Sequence, residues 1–195
     1  MKSLKAVFKH NLGASLFRLK GWKTDYLPKE AGDKFVLIGF PHNTNNDAPL
    51  GVVFSLFNNV KINPLIKKDW FFWPMNIVFN RLGFIPIDRS SGNNVVNQIT
   101  DIFSKRDKFV PVILPEGTRS DVKGIKVGFW NIAKNADVPI VLLYKNSAKK
   151  HVMILGHMKT SDSLLDDLLY IQKMYKKEGY DIPMGETLER LRENS

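Results

Sequence analysis

The chain has 195 residues, 44% of them hydrophobic and 25% charged, a balance that suits one globular domain with a full core and excludes a disordered chain. It contains no cysteine, which removes a disulfide scaffold, a thiolate metal site and a cysteine nucleophile together. A net charge of +10 calls for an anionic partner, whether nucleic acid, a membrane surface or a phosphorylated substrate.

Residues Lys2 to Lys23 carry six Lys or Arg and no acid. Leu4, Phe8, Leu12, Leu16 and Leu19 recur at helical spacing, with Val7 beside them. Two readings stand side by side: an ordinary helix packing its apolar side on the domain, or a basic interfacial helix lying on anionic lipid. Gly13 and Gly21 weaken either helix. Lys9 interrupts what would be the apolar core of a signal peptide. No uncharged run reaches bilayer-spanning length, since Trp70 to Asn80, between Asp69 and Arg81, is too short. The expected location is the cytoplasm, with attachment to a membrane only from outside.

The run Phe35-Val36-Leu37-Ile38-Gly39-Phe40, bounded by turn formers and too short for a helix, predicts a buried strand. Asp47 and Ala48-Pro49 predict the start of a helix reaching about Asn59, because Asp suits an N-cap and Pro the first turn. His42 and Asp47 then share one strand-to-helix loop. In open α/β sheets, such loops at the carboxyl ends of strands are where ligands bind. A carboxylate folding back onto an imidazole fixes its tautomer and supports the imidazolium that forms on proton uptake, the logic of a base and its orienter. Spacing alone is a weak signal: His157 and Asp162 repeat it, and there Asp162 is more simply a helix cap.

Lys61 to Ile66 reads as a short strand. Asp69-Trp70-Phe71-Phe72-Trp73-Pro74 then sets four aromatics in a row. Consecutive rings cannot all face one core, so some are expected outside, at a lipid interface or along an acyl-chain groove. Phe84 to Arg89 reads as a strand delivering Asp88 and Arg89 to its end, and Ser90-Ser91-Gly92-Asn93 opens a helix running to about Lys105. An Arg beside a helix N-terminus suits an anion; a surface Arg in a turn is the plain alternative. Phe109 to Leu114 is another buried strand, ending in Pro115-Glu116-Gly117-Thr118-Arg119-Ser120. Gly117 permits close approach of backbone to ligand, and the Thr, Arg and Ser side chains supply donors. Lys126 follows, a weaker candidate for a phosphate contact that reads more simply as a solvated surface lysine. A helix through Phe129 to Ala133, strands at Val138–Tyr144 and His151–Leu155, and an amphipathic helix from Asp162 to Lys177 complete the core. The tail from Gly185 is charged, reads as one short helix and carries no functional signal. His151 and His157 lack a carboxylate cluster and read as structural, so no metal site is expected.

Three strand ends thus deliver His42 with Asp47, Asp88 with Arg89, and Glu116-Gly117-Thr118-Arg119. With these residues in view, the chain resembles the glycerolipid acyltransferase family, the 1-acylglycerol-3-phosphate acyltransferases, of a short bacterial type. The family's His-x4-Asp block, usually with Ser or Thr two places after the His, is matched by His42, Thr44 and Asp47. Its second block is matched by Gly83 to Arg89, its third by the complete Pro115 to Ser120, and its fourth by Val138-Pro139-Ile140-Val141. Four blocks in order cover about residues 35 to 145, which is far more specific than any one of them. Many relatives have Asn before the His, where this chain has Pro41.

The resemblance implies one α/β domain over residues 1–195: a basic amphipathic segment at 1–23, a motif-bearing core at 35–145 and C-terminal helices at 161–195. A mostly parallel central sheet flanked by helices is the expected fold. It implies acyl transfer from an acyl thioester to the free hydroxyl of a lysophospholipid, 1-acylglycerol-3-phosphate first among acceptors, giving phosphatidic acid. His42 and Asp47 would be catalytic, and Thr44, Arg89, Glu116, Gly117, Thr118 and Arg119 would bind substrate. Acyl-CoA or acyl carrier protein would enter as donor substrate, with no cofactor besides. The expected partners include an anionic membrane surface, at the inner face of the membrane, and no specific nucleic acid, because no basic-aromatic RNP-type block is present. A different lysolipid acceptor, or a membrane-surface lipid-binding protein without catalysis, are the alternatives.

Overall fold

The β-branched and aromatic runs of this chain form a seven-stranded sheet in the computed structural model, which describes residues 4–41, 47–88, 90, 92–116 and 124–193, with the backbone alone at 47, 48 and 92–94. In chain order the elements are α1 (Leu4–Leu19), β1 (Lys23–Thr24), β2 (Val36–Phe40), α2 (Asp47–Asn58), β3 (Ile62–Lys67), α3 (Met75–Leu82), β4 (Ile85–Ile87), α4 (Gly92–Lys105) and β5 (Val110–Ile113), then α5 (Gly128–Ala136), β6 (Ile140–Asn146), β7 (His151–Met158), α6 (Leu164–Lys177) and α7 (Gly185–Glu193). The sheet order is β1-β7-β6-β2-β5-β3-β4.

Five of these strands, β6, β2, β5, β3 and β4, run parallel. Strand β7 folds back antiparallel on β6, and β1 pairs parallel with β7. The mostly parallel α/β architecture expected from the sequence is the one observed. Strand β2 is buried along its whole length, which is why it reads as a continuous apolar run and not as an alternating one.

Each sheet face carries its own core. Val36, Ile38 and Phe40 point to the side covered by Ile99 and Phe103 of α4, Phe129 and Ile132 of α5, and Leu168, Ile171 and Tyr175 of α6. Phe35 and Leu37 point to the other side, against Phe17 of α1 and Val53 and Phe54 of α2. Asn63 ties β3 to β5 and to the turn before β4. Its amide donates to Gly83 O at 2.8 Å and accepts from Val110 N at 3.1 Å, and it sits opposite Pro111, which has no N–H of its own to offer.

Helix α1 packs on the domain, as the first of its two readings has it. Gly13 and Phe17 are buried against the domain, while Leu4, Phe8, Leu12 and Leu19 face outward, Phe8 at 70% exposure. Gly13 does not simply weaken the helix. A Cβ there would lie 2.5 Å from Phe57 N and 2.8 Å from Phe57 Cα, so the missing side chain is what lets α1 approach the backbone of α2. The aromatic run divides as its sequence requires: Trp70, Phe72 and Trp73 are exposed, while Phe71 turns to the Phe79 ring, which in turn meets Phe84.

Asp162 is not the cap of α6. Ser163 takes that position, its Oγ accepting from Asp166 N at 3.2 Å; the helix starts at Leu164, so the residue that precedes it is the one placed to cap. Asp162 instead pairs with Lys134 at the surface, 3.1 Å away. His151 is structural: its Nε2 lies 2.8 Å from Asp25 Oδ1, and Asp25 Oδ2 accepts from Ile154 N at 3.1 Å. Among the described residues no helix is long and apolar enough to cross a membrane.

Candidate functional site

Parallel pairing decides where the motif-bearing segments leave the sheet. Ile38 of β2 is in register with Ile113 of β5, Pro64 of β3 with Val112 of β5, and Lys67 of β3 with Ile87 of β4. The carboxyl ends of β2, β5 and β4 therefore open on one edge. Strands lie about 4.8 Å apart in the pairing direction, so the ends of β2 and β4, three strands apart in order, are separated by roughly 14 Å.

His42 and Thr44 lie outside the described residues, in the stretch between the end of β2 and the start of α2. Asp47 is the first residue of α2, as expected, and its side chain is outside the description. Arg89 also lies outside it, immediately after Asp88. So do Gly117, Thr118 and Arg119, which follow Glu116. What the structure adds is how their described neighbours are held.

Both backbone groups of Asp88 are pinned by one side chain of α4. Asp88 N donates to Gln98 Oε1 at 3.1 Å, and Gln98 Nε2 donates to Asp88 O at 2.9 Å. The Asp88 carboxylate accepts from Ser90 N at 2.9 Å, a local turn that reaches across position 89. Hydrogen bonds from the Ser90 side chain and backbone, and the charge of Lys68, hold the Asp88 carboxyl below its ordinary range.

Glu116 is the one expected substrate-site residue whose side chain is described, and it is buried, at 9% exposure. Tyr180 donates its phenolic O–H to Glu116 Oε1 at 2.8 Å. The same Tyr180 ring packs 6.3 Å from Phe40, the last residue of β2, and 5.6 Å from Tyr144 of β6. Phe40 also meets Tyr175 edge-on at 5.2 Å. A wall of four aromatic rings thus joins the strand that leads to His42 with the residue that opens the Glu116 block. Burial first, then the bond to Glu116 and its charge, pushes the Tyr180 phenol well above the usual tyrosine range. It remains a neutral donor at physiological pH.

Where the described chain resumes at Gly124, another residue of the C-terminal segment holds it. Thr187 Oγ1 accepts from Ile125 N at 2.9 Å and donates to Ile125 O at 3.1 Å. A Cβ on Gly124 would lie 2.8 Å from that same Thr187 oxygen, so glycine is what admits the clasp. Lys126 is exposed, as expected, and its N–H donates to Pro115 O at 2.9 Å. The C-terminal segment thus holds the described residues on either side of 117–123, Tyr180 at Glu116 and Thr187 at Ile125.

The sequence reading missed Gln98, Tyr180 and Thr187. A polar residue on the site side of α4 was visible in principle. Nothing in the spacing marks Tyr180, which lies 64 positions from the carboxylate it holds. Among the described residues no three His, Asp or Glu side chains gather as a metal ion would need.

Comparison with known proteins bears on the family and the fold. The family model described as Acyltransferase matches residues 23–146. No curated protein matches the chain. Among solved structures it is similar to the 1-acyl-sn-glycerophosphate (LPA) acyltransferase PlsC from Thermotoga maritima, with a TM-score of 0.59 and 14% identity, covering 89% of this chain and 78% of that one. At that identity the likeness concerns the fold alone.

Proposed function

The chain belongs to the acyltransferase family, and on that premise we propose that it transfers a fatty acyl group from an acyl thioester to the free hydroxyl of 1-acylglycerol-3-phosphate, giving phosphatidic acid. His42 takes the hydroxyl proton as the oxygen attacks the thioester carbonyl. Asp47 orients His42 and stabilises its imidazolium. Thr44 and neighbouring backbone N–H groups steady the oxyanion. Collapse of the tetrahedral intermediate breaks the C–S bond, and the departing sulfur receives the proton from His42. No covalent acyl-enzyme forms, in keeping with a chain that has no cysteine and no Gly-x-Ser-x-Gly elbow.

Arg89 and Arg119 grip the acceptor phosphate, because guanidinium forks match its oxygens. Thr118 adds a donor, and Gly117 lets the backbone close in on the phosphate. Glu116, held by Tyr180, is a positioning residue for this loop. The donor is acyl-CoA or acyl carrier protein. The outward apolar stripe of α1 rests on the inner face of an anionic membrane.

The observation that carries this reading is the common edge: β2, β4 and β5 are parallel and finish on the same side, so the three blocks that follow them start within one strand-width or a few of each other. The test is mass spectrometry of lipids made by the purified protein from acyl-CoA or acyl carrier protein and a panel of lysolipids. Phosphatidic acid from 1-acylglycerol-3-phosphate is the expected product. Acylation of another lysolipid alone would move the acceptor, and no acylated product from any pair would overturn the reading.

A further inference from the structure

Between β3 and β4 the chain exposes large apolar side chains that neither core uses. Trp73 is 77% exposed, Trp70 58% and Phe72 57%. Ile77, Val78 and Leu82 continue the patch along α3, which has no buried residue at all. Ile77 with Arg81, and Val78 with Leu82, are pairs four residues apart, so they share the outer side of that helix. Soluble monomers seldom leave so much contiguous apolar surface without a partner.

The surroundings say which partner. Residues 60–87 contain Lys61, Lys67, Lys68 and Arg81 against the single acid Asp69, and all four cations are exposed. Indole rings ringed by Lys and Arg suit the boundary between anionic headgroups and acyl chains. A second copy of this chain suits it poorly, because it would set one basic rim against another in a molecule of charge +10. Location agrees: β3 ends at Lys67, in register with Ile87 of β4, so the exposed rings begin at the edge where β2, β4 and β5 finish.

We propose that Trp70, Phe72, Trp73 and the outer side of α3, with their rim of Lys61, Lys67, Lys68 and Arg81, form a docking surface for an anionic lipid bilayer, placed beside the edge from which the motif-bearing segments leave the sheet. This surface rests on the acyltransferase reading only for its purpose, which is to let a membrane-embedded acceptor reach that edge without leaving the lipid. It is distinct from the outward apolar stripe of α1, whose other side, at Gly13, meets the backbone of α2.

The test uses the full chain with vesicles of equal phosphatidylglycerol and phosphatidylcholine, against phosphatidylcholine alone, followed by co-sedimentation and tryptophan fluorescence. The wild type is expected to bind the anionic vesicles, with a blue shift, and to bind neutral ones more weakly by about fivefold for each engaged cation. Trp70→Ser/Trp73→Ser is expected to weaken vesicle binding by about tenfold or more. Ile77→Lys/Val78→Lys, on the solvent side of a formed helix, provides a second variant if the first folds poorly. Vesicle binding unchanged in the folded variants would overturn the proposal. So would a concentration-dependent dimer that the variants abolish, since that would make the surface a contact between copies. Turnover separates this from the catalytic reading: the variants should keep the wild-type rate on a short-chain acceptor dissolved as monomers and lose it on acceptor held in vesicles. A wild type inactive on both would contradict the acyltransferase reading, while the binding comparison would still judge the surface.

Discussion

At the scale of single residues, Glu116 shows how far a motif goes and where it stops. Its place at the end of a strand was legible from the Pro-Glu-Gly-Thr-Arg-Ser run, because apolar strand and turn residues are local signals. Its partner was not, because no local rule links residue 116 to residue 180. Tyr180→Phe removes one hydroxyl and keeps the ring. A hydrogen bond to a carboxylate is worth up to about 3 kcal/mol, and partial exposure of Tyr180 lowers that to about 1 kcal/mol. The expected result is an acceptor KM raised about fivefold, with kcat near wild type and circular dichroism unchanged. Glu116→Gln combined with it should add little, since the two act as one unit. A fall in melting temperature with kinetics untouched would make the contact purely structural. Tyr175 offers a pH test. It is fully buried and donates to Leu143 O at 2.9 Å, and burial, with Tyr180 and Glu116 adding to it, raises its phenol well above the usual range. An unfolded tyrosine titrates near 10, so above that pH the unfolded chain loses a proton that the native chain keeps. Stability is therefore full below pH 10 and falls as pH rises, by about 1.4 kcal/mol per pH unit from this group. Urea unfolding between pH 9 and 11.5 should show that fall, shallower in Tyr175→Phe; equal slopes in the two proteins would contradict it.

At the scale of elements, the apolar runs at β2, β5 and β6 and the periodicity of α5 and α6 were legible because burial on both sides, or along one stripe, writes itself into composition. The ends of the chain were less so. Helix α1 carries apolar residues on two sides, and only packing tells the inner from the outer. Gly13→Leu, aimed at the Phe57 backbone, should force α1 off α2 and cost about 2 kcal/mol in urea unfolding; an unchanged midpoint would mean that the two helices have room to spare. The charged tail looked uninformative, yet α7 supplies Thr187, whose hydroxyl serves both backbone groups of Ile125. Thr187→Val keeps the shape and removes both bonds. It should cost about 1–2 kcal/mol of stability and lower turnover several-fold, with Thr187→Ser restoring most of both. Full activity in Thr187→Val would show that the clasp does not matter to the loop it ends.

At the scale of the whole molecule, the family resemblance implied a mostly parallel sheet, and the sheet is that. The strand order was beyond such reasoning. Strand β5 inserts between β2 and β3, so segments about 70 residues apart become neighbours, and no periodicity reports which strands pair. The reversal of β7 against β6 was within reach of such reasoning, since the four residues between Asn146 and His151 are too few for a parallel crossover. Yet it is this order that brings the ends of β2, β5 and β4 to one edge and gives the three blocks a shared origin. The central claim is that the His42 imidazole is the base at that edge. The direct measurement compares purified wild type with His42→Ala for phosphatidic acid formed from 1-acylglycerol-3-phosphate and an acyl thioester. Loss of rate by about 10²- to 10⁴-fold, with circular dichroism and vesicle binding intact, is the predicted result. A His42→Ala protein that transfers acyl groups at close to the wild-type rate would contradict the account.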